Sequence, residues 1–128
     1  MIVVDSSAVC AVLLNEPERD RFQEIMARER CFLSAACLVE SSITWRRRGG
    51  SAAAFAAFLA AFGLVVLPAD ERQAHIAAEA DRRFGRATGH PARLNFGDCL
   101  AYAAAIAHDA PLLFKGGDFG HTDVKRAA

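Results

Sequence analysis

The stretch Ile2-Val3-Val4-Asp5-Ser6-Ser7-Ala8 sets the reading of this chain. Three β-branched residues in succession suit a short buried strand, and the run stops at an acid. Two hydroxyl residues follow, either of which can cap a helix continuing over residues 8–14. A strand that hands over to a helix is the opening unit of an α/β domain. The same alternation continues down the chain. Asn15 to Pro17 restart it, Pro being tolerated in a first helical turn, and a helix is expected from about Glu18 to Arg28. Cys31–Ser34 reads as a second strand, and residues 35–48 as a helix ended by Gly49 and Gly50. Ser51 caps the next helix, along which Phe55, Phe58, Leu59 and Phe62 recur at helical spacing. Gly63 stops it, and residues 64–67 form a third strand. Asp70 opens a helix to about Phe84, and a loop rich in Arg, Gly, His and Pro leads to Asn95. Asn95 caps a helix over residues 96–108, and Pro111 introduces a fourth strand over residues 112–114. Residues 122–124 are a candidate fifth. The expectation is one domain, residues 1–128, a three-layer α/β/α fold around a mainly parallel sheet of four or five strands.

Composition supports a self-sufficient core and narrows the function classes. Hydrophobic residues make up 53% of the 128 positions, so a core forms without disulfide or metal staples. Fifteen basic residues balance fifteen acidic ones, so any nucleic-acid site must come from local clustering, not from bulk charge. Cys10, Cys31, Cys37 and Cys99 lie in apolar stretches with no C-x-x-C pair, which reads as reduced core thiols. No basic region precedes the apolar start and Asp5 interrupts it early, so no signal peptide is expected. The apolar run over residues 52–67 is shorter than the roughly 20 residues of a membrane span. A cytoplasmic protein with no membrane partner is therefore expected.

Chemistry is concentrated in the acids. Open α/β sheets gather ligands at the carboxyl ends of their strands. Asp5 ends the first strand, Asp98 lies in the first turn of the helix before the fourth, and Asp118 and Asp123 follow the fourth. Glu40 sits inside a helix, among Ala36, Cys37, Ile43 and Thr44, where an unpaired carboxylate is costly. Carboxylates converging on one point repel each other, and a divalent cation removes that conflict. Mg2+ prefers oxygen ligands, keeps several waters and takes one or two carboxylates directly. Such a site can activate water against a phosphodiester, with one ion or two.

Three segments then carry a family resemblance. The opening residues 2–8 resemble the first strand and acidic ligand of a PIN domain. The block Gly89-His90-Pro91-Ala92-Arg93-Leu94-Asn95-Phe96-Gly97-Asp98-Cys99-Leu100-Ala101-Tyr102-Ala103 resembles the central signature of VapC toxins, and its Asn-Phe-Gly-Asp-Cys core is the most specific part. Leu112-Leu113-Phe114-Lys115-Gly116-Gly117-Asp118-Phe119, followed by Thr122-Asp123-Val124, resembles the last strand and acidic turn of that family.

The resemblance implies a PIN fold and a Mg2+-dependent endoribonuclease, with Mn2+ as a substitute. It also implies a toxin, its VapB-type antitoxin partner, an RNA substrate and a homodimer. Asp5 and Asp98 correspond to metal ligands, Glu40 to the helix acid completing the cluster, and Asp118 to the late acid, with Asp123 a further candidate. Some relatives carry an acid or amide where this chain has Gly117, so the late acid stays open between Asp118 and Asp123. Ser7 matches a hydroxyl position able to bond a carboxylate or phosphate. Arg86 and Arg93, flanking the approach to Asp98, and Lys115, after the fourth strand, are candidate RNA contacts.

Rival readings lack the residues they need. A receiver domain wants an acidic pair at the end of the first strand and a phospho-acceptor Asp ending the third, but the chain has Asp5-Ser6-Ser7 and Leu67-Pro68. A phosphatase with an Asp-x-Asp nucleophile fails at the same place. A PIN-fold chain without activity, serving only to bind an antitoxin, is the leading alternative, ahead of a phospho-accepting receiver-type signalling domain.

Overall fold

Every side chain of the first strand, β1 (Ile2–Val4), is buried. A parallel strand covered on both faces needs no polar alternation, which explains the unbroken apolar run. The computed structural model describes residues 1–128. Its β1 lies inside a four-stranded sheet with β2 (Cys31–Ser34), β3 (Val65–Leu67) and β4 (Leu112–Leu113) in the order β3-β2-β1-β4, all parallel. Val3 stands opposite Phe32 on one side and Leu112 on the other.

Six helices connect and cover the strands: α1 (Ser6–Leu13), α2 (Arg19–Arg28), α3 (Ala35–Arg47), α4 (Ala52–Ala61), α5 (Glu71–Phe84) and α6 (Phe96–Ala107). Ser51, Asp70 and Asn95 cap α4, α5 and α6, their side chains accepting from Ala54, Gln73 and Asp98 N–H. The cap of α1 differs from the sequence expectation. Asp5, not Ser6 or Ser7, is the capping residue, and Ser7 N–H donates to its carboxylate. One residue thus ends β1 and starts α1.

Residues 122–124 do not form a strand, so the sheet has four. The tail meets β4 at a single parallel bridge, Leu112 with Arg126, where Leu112 N–H donates to the Lys125 carbonyl at 2.8 Å. The preceding segment is instead drawn into a 3-10 turn, Asp118–His121, by burial of Phe119 against Phe114.

The core is one continuous cluster. Within it, α6 presents Ala101, Ala103, Ala104 and Ala105, all fully buried, and packs on β1, β2, β4, α3 and α5. Small side chains let this helix approach sheet and neighbours closely, which matters because Asp98 rides on its first turn. The Phe stripe of α4 also faces inward: Phe55 and Phe58 are buried and Phe62 is half-buried. It is therefore core, and not the floor of a partner groove. Apart from half-buried Leu59, the rest of α4 is exposed alanine.

Leu33, fully buried in β2, tests the dependence of the fold on this sheet. Leu33→Ala is expected to cost about 2–5 kcal/mol, read from urea unfolding, through lost burial and the cavity left behind.

Candidate metal centre

The sheet order fixes where ligands can gather. The chain runs from β1 outward through β2 to β3, then crosses to β4 on the opposite side of β1. The reversal between β1 and β4 is a switch point, and crevices form there at the carboxyl ends of the strands. Asp5 leaves β1 at this point, and the segment carrying Lys115 and Asp118 leaves β4 beside it. Asp5 N–H donates to the Leu113 carbonyl at 2.9 Å, which ties the two strand ends together.

Asp5 is only 2% exposed. Its Oδ2 accepts from Ser7 N–H at 3.0 Å and from Ser7 Oγ at 2.5 Å, and its Oδ1 accepts from Cys37 Sγ at 3.6 Å. Burial pushes its carboxyl above the usual range, more than the Ser7 and Cys37 hydrogen bonds pull it down, and the Glu40 charge adds to the rise. Burial, reinforced by the Asp5 charge, holds the Cys37 thiol well above its ordinary value, so it is a donor at neutral pH.

Asp98 belongs to a capping box. Asp98 N–H donates to Asn95 Oδ1 at 2.8 Å, and Asn95 N–H donates back to Asp98 Oδ2 at 3.0 Å. This reciprocal pair fixes the rotamer of Asp98 as it closes the helix end. Its carboxyl is nevertheless pushed up to about 6, chiefly by desolvation, and further by the charges of Asp5, Glu40 and Asp118. Glu40 reaches the same place from α3. Ser6 Oγ donates to its Oε1 at 2.8 Å, and its carboxylate lies so close to Gly97 that a methyl group there would overlap it. Glycine at 97 is therefore a steric requirement of the Glu40 position. Asp118 is exposed on its 3-10 turn, ahead of the buried Phe119.

The charges of Asp5, Glu40 and Asp118 thus bear on Asp98, while Asp123 is disposed differently. Tyr102 Oη donates to Asp123 Oδ1 at 2.6 Å, and the Arg83 guanidinium stands 3.6 Å from its other oxygen. Ser7, expected to meet a carboxylate or phosphate, bonds Asp5 and also accepts from Lys115 N–H at 3.0 Å. The Lys115 ammonium pairs with Glu16 at 3.3 Å and Glu18 at 3.2 Å, so it pins the α1–α2 turn and is not turned to phosphate. Arg86 and Arg93 are exposed on the loop leading into α6, where Arg86 Nε donates to the Arg93 carbonyl at 3.1 Å.

Three contributors escaped sequence reasoning: Ser6, Cys37 and Gly97. Ser6 adjoins Asp5, and Cys37 lies one helical turn before Glu40, so position relative to the acids was the available signal.

No three carboxylate, histidine or cysteine side chains are gathered tightly enough to hold an ion unaided. The donor set is nonetheless all hard oxygen and mutually repulsive. That suits Mg2+, which retains waters and takes few direct protein ligands.

The raised Asp98 carboxyl has a consequence for stability. The folded state binds this proton more tightly than the unfolded chain, so stability contributed at low pH is lost as pH rises from about 4 through about 6. Asp5 acts in the same direction. Without divalent cations, Asp98→Asn is expected to flatten this slope and to stabilise the protein at pH 7.5 by roughly 1–2 kcal/mol, discounted for partial exposure. Urea unfolding between pH 4 and 8 checks it; an unchanged slope would contradict the electrostatic account.

Comparison with known proteins identifies the fold and the family. The PIN domain family profile matches residues 2–125. The chain is 43% identical to ribonuclease VapC28 of Mycobacterium tuberculosis over 98% of its own length and 97% of that protein. It is 38% identical to ribonuclease VapC42 of the same species, covering 98% of each. Among solved structures it superposes on VapC20 of M. tuberculosis, described as a sarcin-ricin loop cleaving toxin, with a TM-score of 0.77 at 21% identity over 97% of this chain and 96% of that one. FitAcB from Neisseria gonorrhoeae gives a TM-score of 0.65 at 20% identity, over 98% and 96%. The chain belongs to the PIN-domain family, among the VapC ribonucleases.

Proposed function

We propose that this protein is the toxin of a VapBC pair, an endoribonuclease that hydrolyses RNA phosphodiester bonds with Mg2+ as cofactor and Mn2+ as substitute. The observation that carries the reading is the convergence of Asp5, Glu40, Asp98 and Asp118 at the β1–β4 switch point, with Asp98 pushed up to about 6 by burial and by the other three charges. Carboxylates placed at each other's expense call for a cation.

Asp5 and Asp98 would hold the ion, directly or through water. When bound, it would neutralise the cluster, lower the pKa of a bound water and offset charge on the phosphate. Asp98 is fixed for this by its capping box, and Asp5 by Ser7 and Cys37. Glu40, held by Ser6, and Asp118 orient water toward the scissile phosphate. Attack on the phosphate would be in line, with no covalent bond between chain and substrate. Arg86 and Arg93 are the candidates to hold the RNA backbone, since Lys115 is engaged with Glu16 and Glu18.

Two surfaces support the proposed partners. Helix α4 is apolar on every side, yet its alanines are largely exposed, which suits cover by an apolar antitoxin segment. Phe96 is 84% exposed and borders a groove of about 610 Å³ between α5 and α6, lined by Ala74, Ala77, Ala78 and Leu100. A projecting aromatic beside an apolar hollow on one face suits a two-fold homodimer.

No helix of the structure is long and apolar enough to cross a membrane. A cytoplasmic site of action is part of the proposal.

Purified protein free of antitoxin is expected to cleave a mixed RNA pool with Mg2+ and not with EDTA. Asp98→Asn should lower the rate at least 100-fold while the circular dichroism spectrum stays that of the folded protein. Retained activity in the variant would contradict the assignment. Phe96→Glu, at the start of α6 where an acid suits the helix dipole, is expected to shift the mass by light scattering from dimer to monomer. An unchanged mass would remove this face as the interface.

A further inference from the structure

Asp5 is the only group of the acid cluster with hydrogen bonds from side chains on two other parts of the chain, and one of these comes from a thiol. Ser7 Oγ and Ser7 N–H occupy Oδ2, whereas Cys37 Sγ, from the first turn of α3, is the donor to Oδ1 at 3.6 Å. A carboxylate offers about four lone-pair positions. Three are filled by Ser7 and Cys37, and one is left for a cation, a water or a proton.

We propose that Cys37 is a positioning residue for the metal centre: its thiol sets the rotation of the Asp5 carboxylate so that the remaining lone pair faces Asp98 and Glu40. Ser7 alone leaves Oδ1 without a donor, because both of its bonds meet Oδ2 and small rotations about Cβ–Cγ are restrained from one side only. Cys37 supplies the second point of attachment. Its own place is fixed by backbone, since Cys37 N–H donates to Ser34 Oγ at 3.1 Å and the Cys37 carbonyl accepts from Ser41 Oγ at 2.6 Å. The side chain is fully buried, so water cannot replace it as donor. The linkage continues through Ser7 Oγ, which accepts from Lys115 N–H at 3.0 Å. One thiol therefore couples α3, the end of β1, the start of α1 and the exit of β4 at a single carboxylate.

A merely space-filling role has a different signature. Cys37→Val fills the site with no donor, Cys37→Ala removes both volume and donor, and Cys37→Ser keeps a donor in a smaller side chain. If Cys37 positions Asp5, Ser rescues and Val does not; if it only fills space, the order is reversed. The reading rests on the proposed metal centre, so two readouts are needed. The first uses metal-free protein: hydrogen exchange of the Ser7 amide, which donates to Asp5 Oδ2, followed by NMR. Its protection is expected to fall several-fold in Cys37→Ala and Cys37→Val and to be restored in Cys37→Ser, with the amides of α6 as internal control. The second is Mn2+ affinity from electron paramagnetic resonance of the free ion, expected to weaken about 10-fold in the Ala and Val variants. Unchanged Ser7 protection in Cys37→Val, or full Mn2+ affinity there, overturns the proposal. If the wild-type protein takes up no Mn2+, the metal reading falls, and the amide comparison alone still decides the role of Cys37.

Discussion

A carboxylate buried at the end of the central strand is the constraint from which the rest of the site follows. Asp5 cannot move to water, because the main chain on either side of it is committed to β1 and α1. Leaving it unpaired would cost several kcal/mol. The chain meets that cost in part with a helix N-terminus, a hydroxyl and a thiol, all of which favour the charged form. It then adds Glu40, whose charge works the other way on Asp5, and Asp98, which Asp5, Glu40 and Asp118 oppose in turn. Such an arrangement makes little sense as a device for stability. It makes sense as a site whose missing charge is supplied from outside.

Much of the surrounding structure serves to bring these acids close without letting them collapse or drift. The alanines of α6 allow that helix to lie tight on the sheet, which carries Asp98 toward Asp5. Gly97 leaves room for the Glu40 carboxylate, and Ser6 holds it there. The Asn95–Asp98 capping box starts α6 and orients the Asp98 carboxylate with the same two hydrogen bonds. On the far side, Lys115 anchors the exit of β4 to Glu16 and Glu18, and the Phe114–Phe119 contact sets the turn that presents Asp118. Fold and site are therefore not separable layers: each residue that terminates an element near the switch point also holds an acid or the neighbour of one.

The strands and helices were legible because their signals are local. β-branched runs mark β1, glycines end α3 and α4, and Ser51, Asp70 and Asn95 act as the caps their positions suggest. That residues 122–124 form no fifth strand was not legible, because they obey tertiary partners: Tyr102 and Arg83 hold Asp123, and Phe119 turns inward. The cap of α1 was misplaced by one residue because an Asp and two Ser stand in a row, and only the backbone decides among them. Asp5, Glu40, Asp98 and Asp118 were candidates from position and family signature. Their supports were not. Lys115 reads as a phosphate contact until Glu16 and Glu18 are seen beside it, nearly 100 residues away in sequence, and Cys37 reads as an ordinary apolar neighbour of Glu40.

Completion of this cluster by a divalent cation is the proposal on which the site depends. It is tested most directly by the thermal unfolding midpoint at pH 7.5 as MgCl2 is raised, against NaCl at matched ionic strength. A ligand that binds only the folded state raises the midpoint in a concentration-dependent way. That rise is expected with MgCl2, with a negligible one in NaCl and loss of the Mg2+ effect when Asp5 and Asp98 are both changed to Asn. Equal responses to the two salts, or a Mg2+ effect that survives the double substitution, would contradict it.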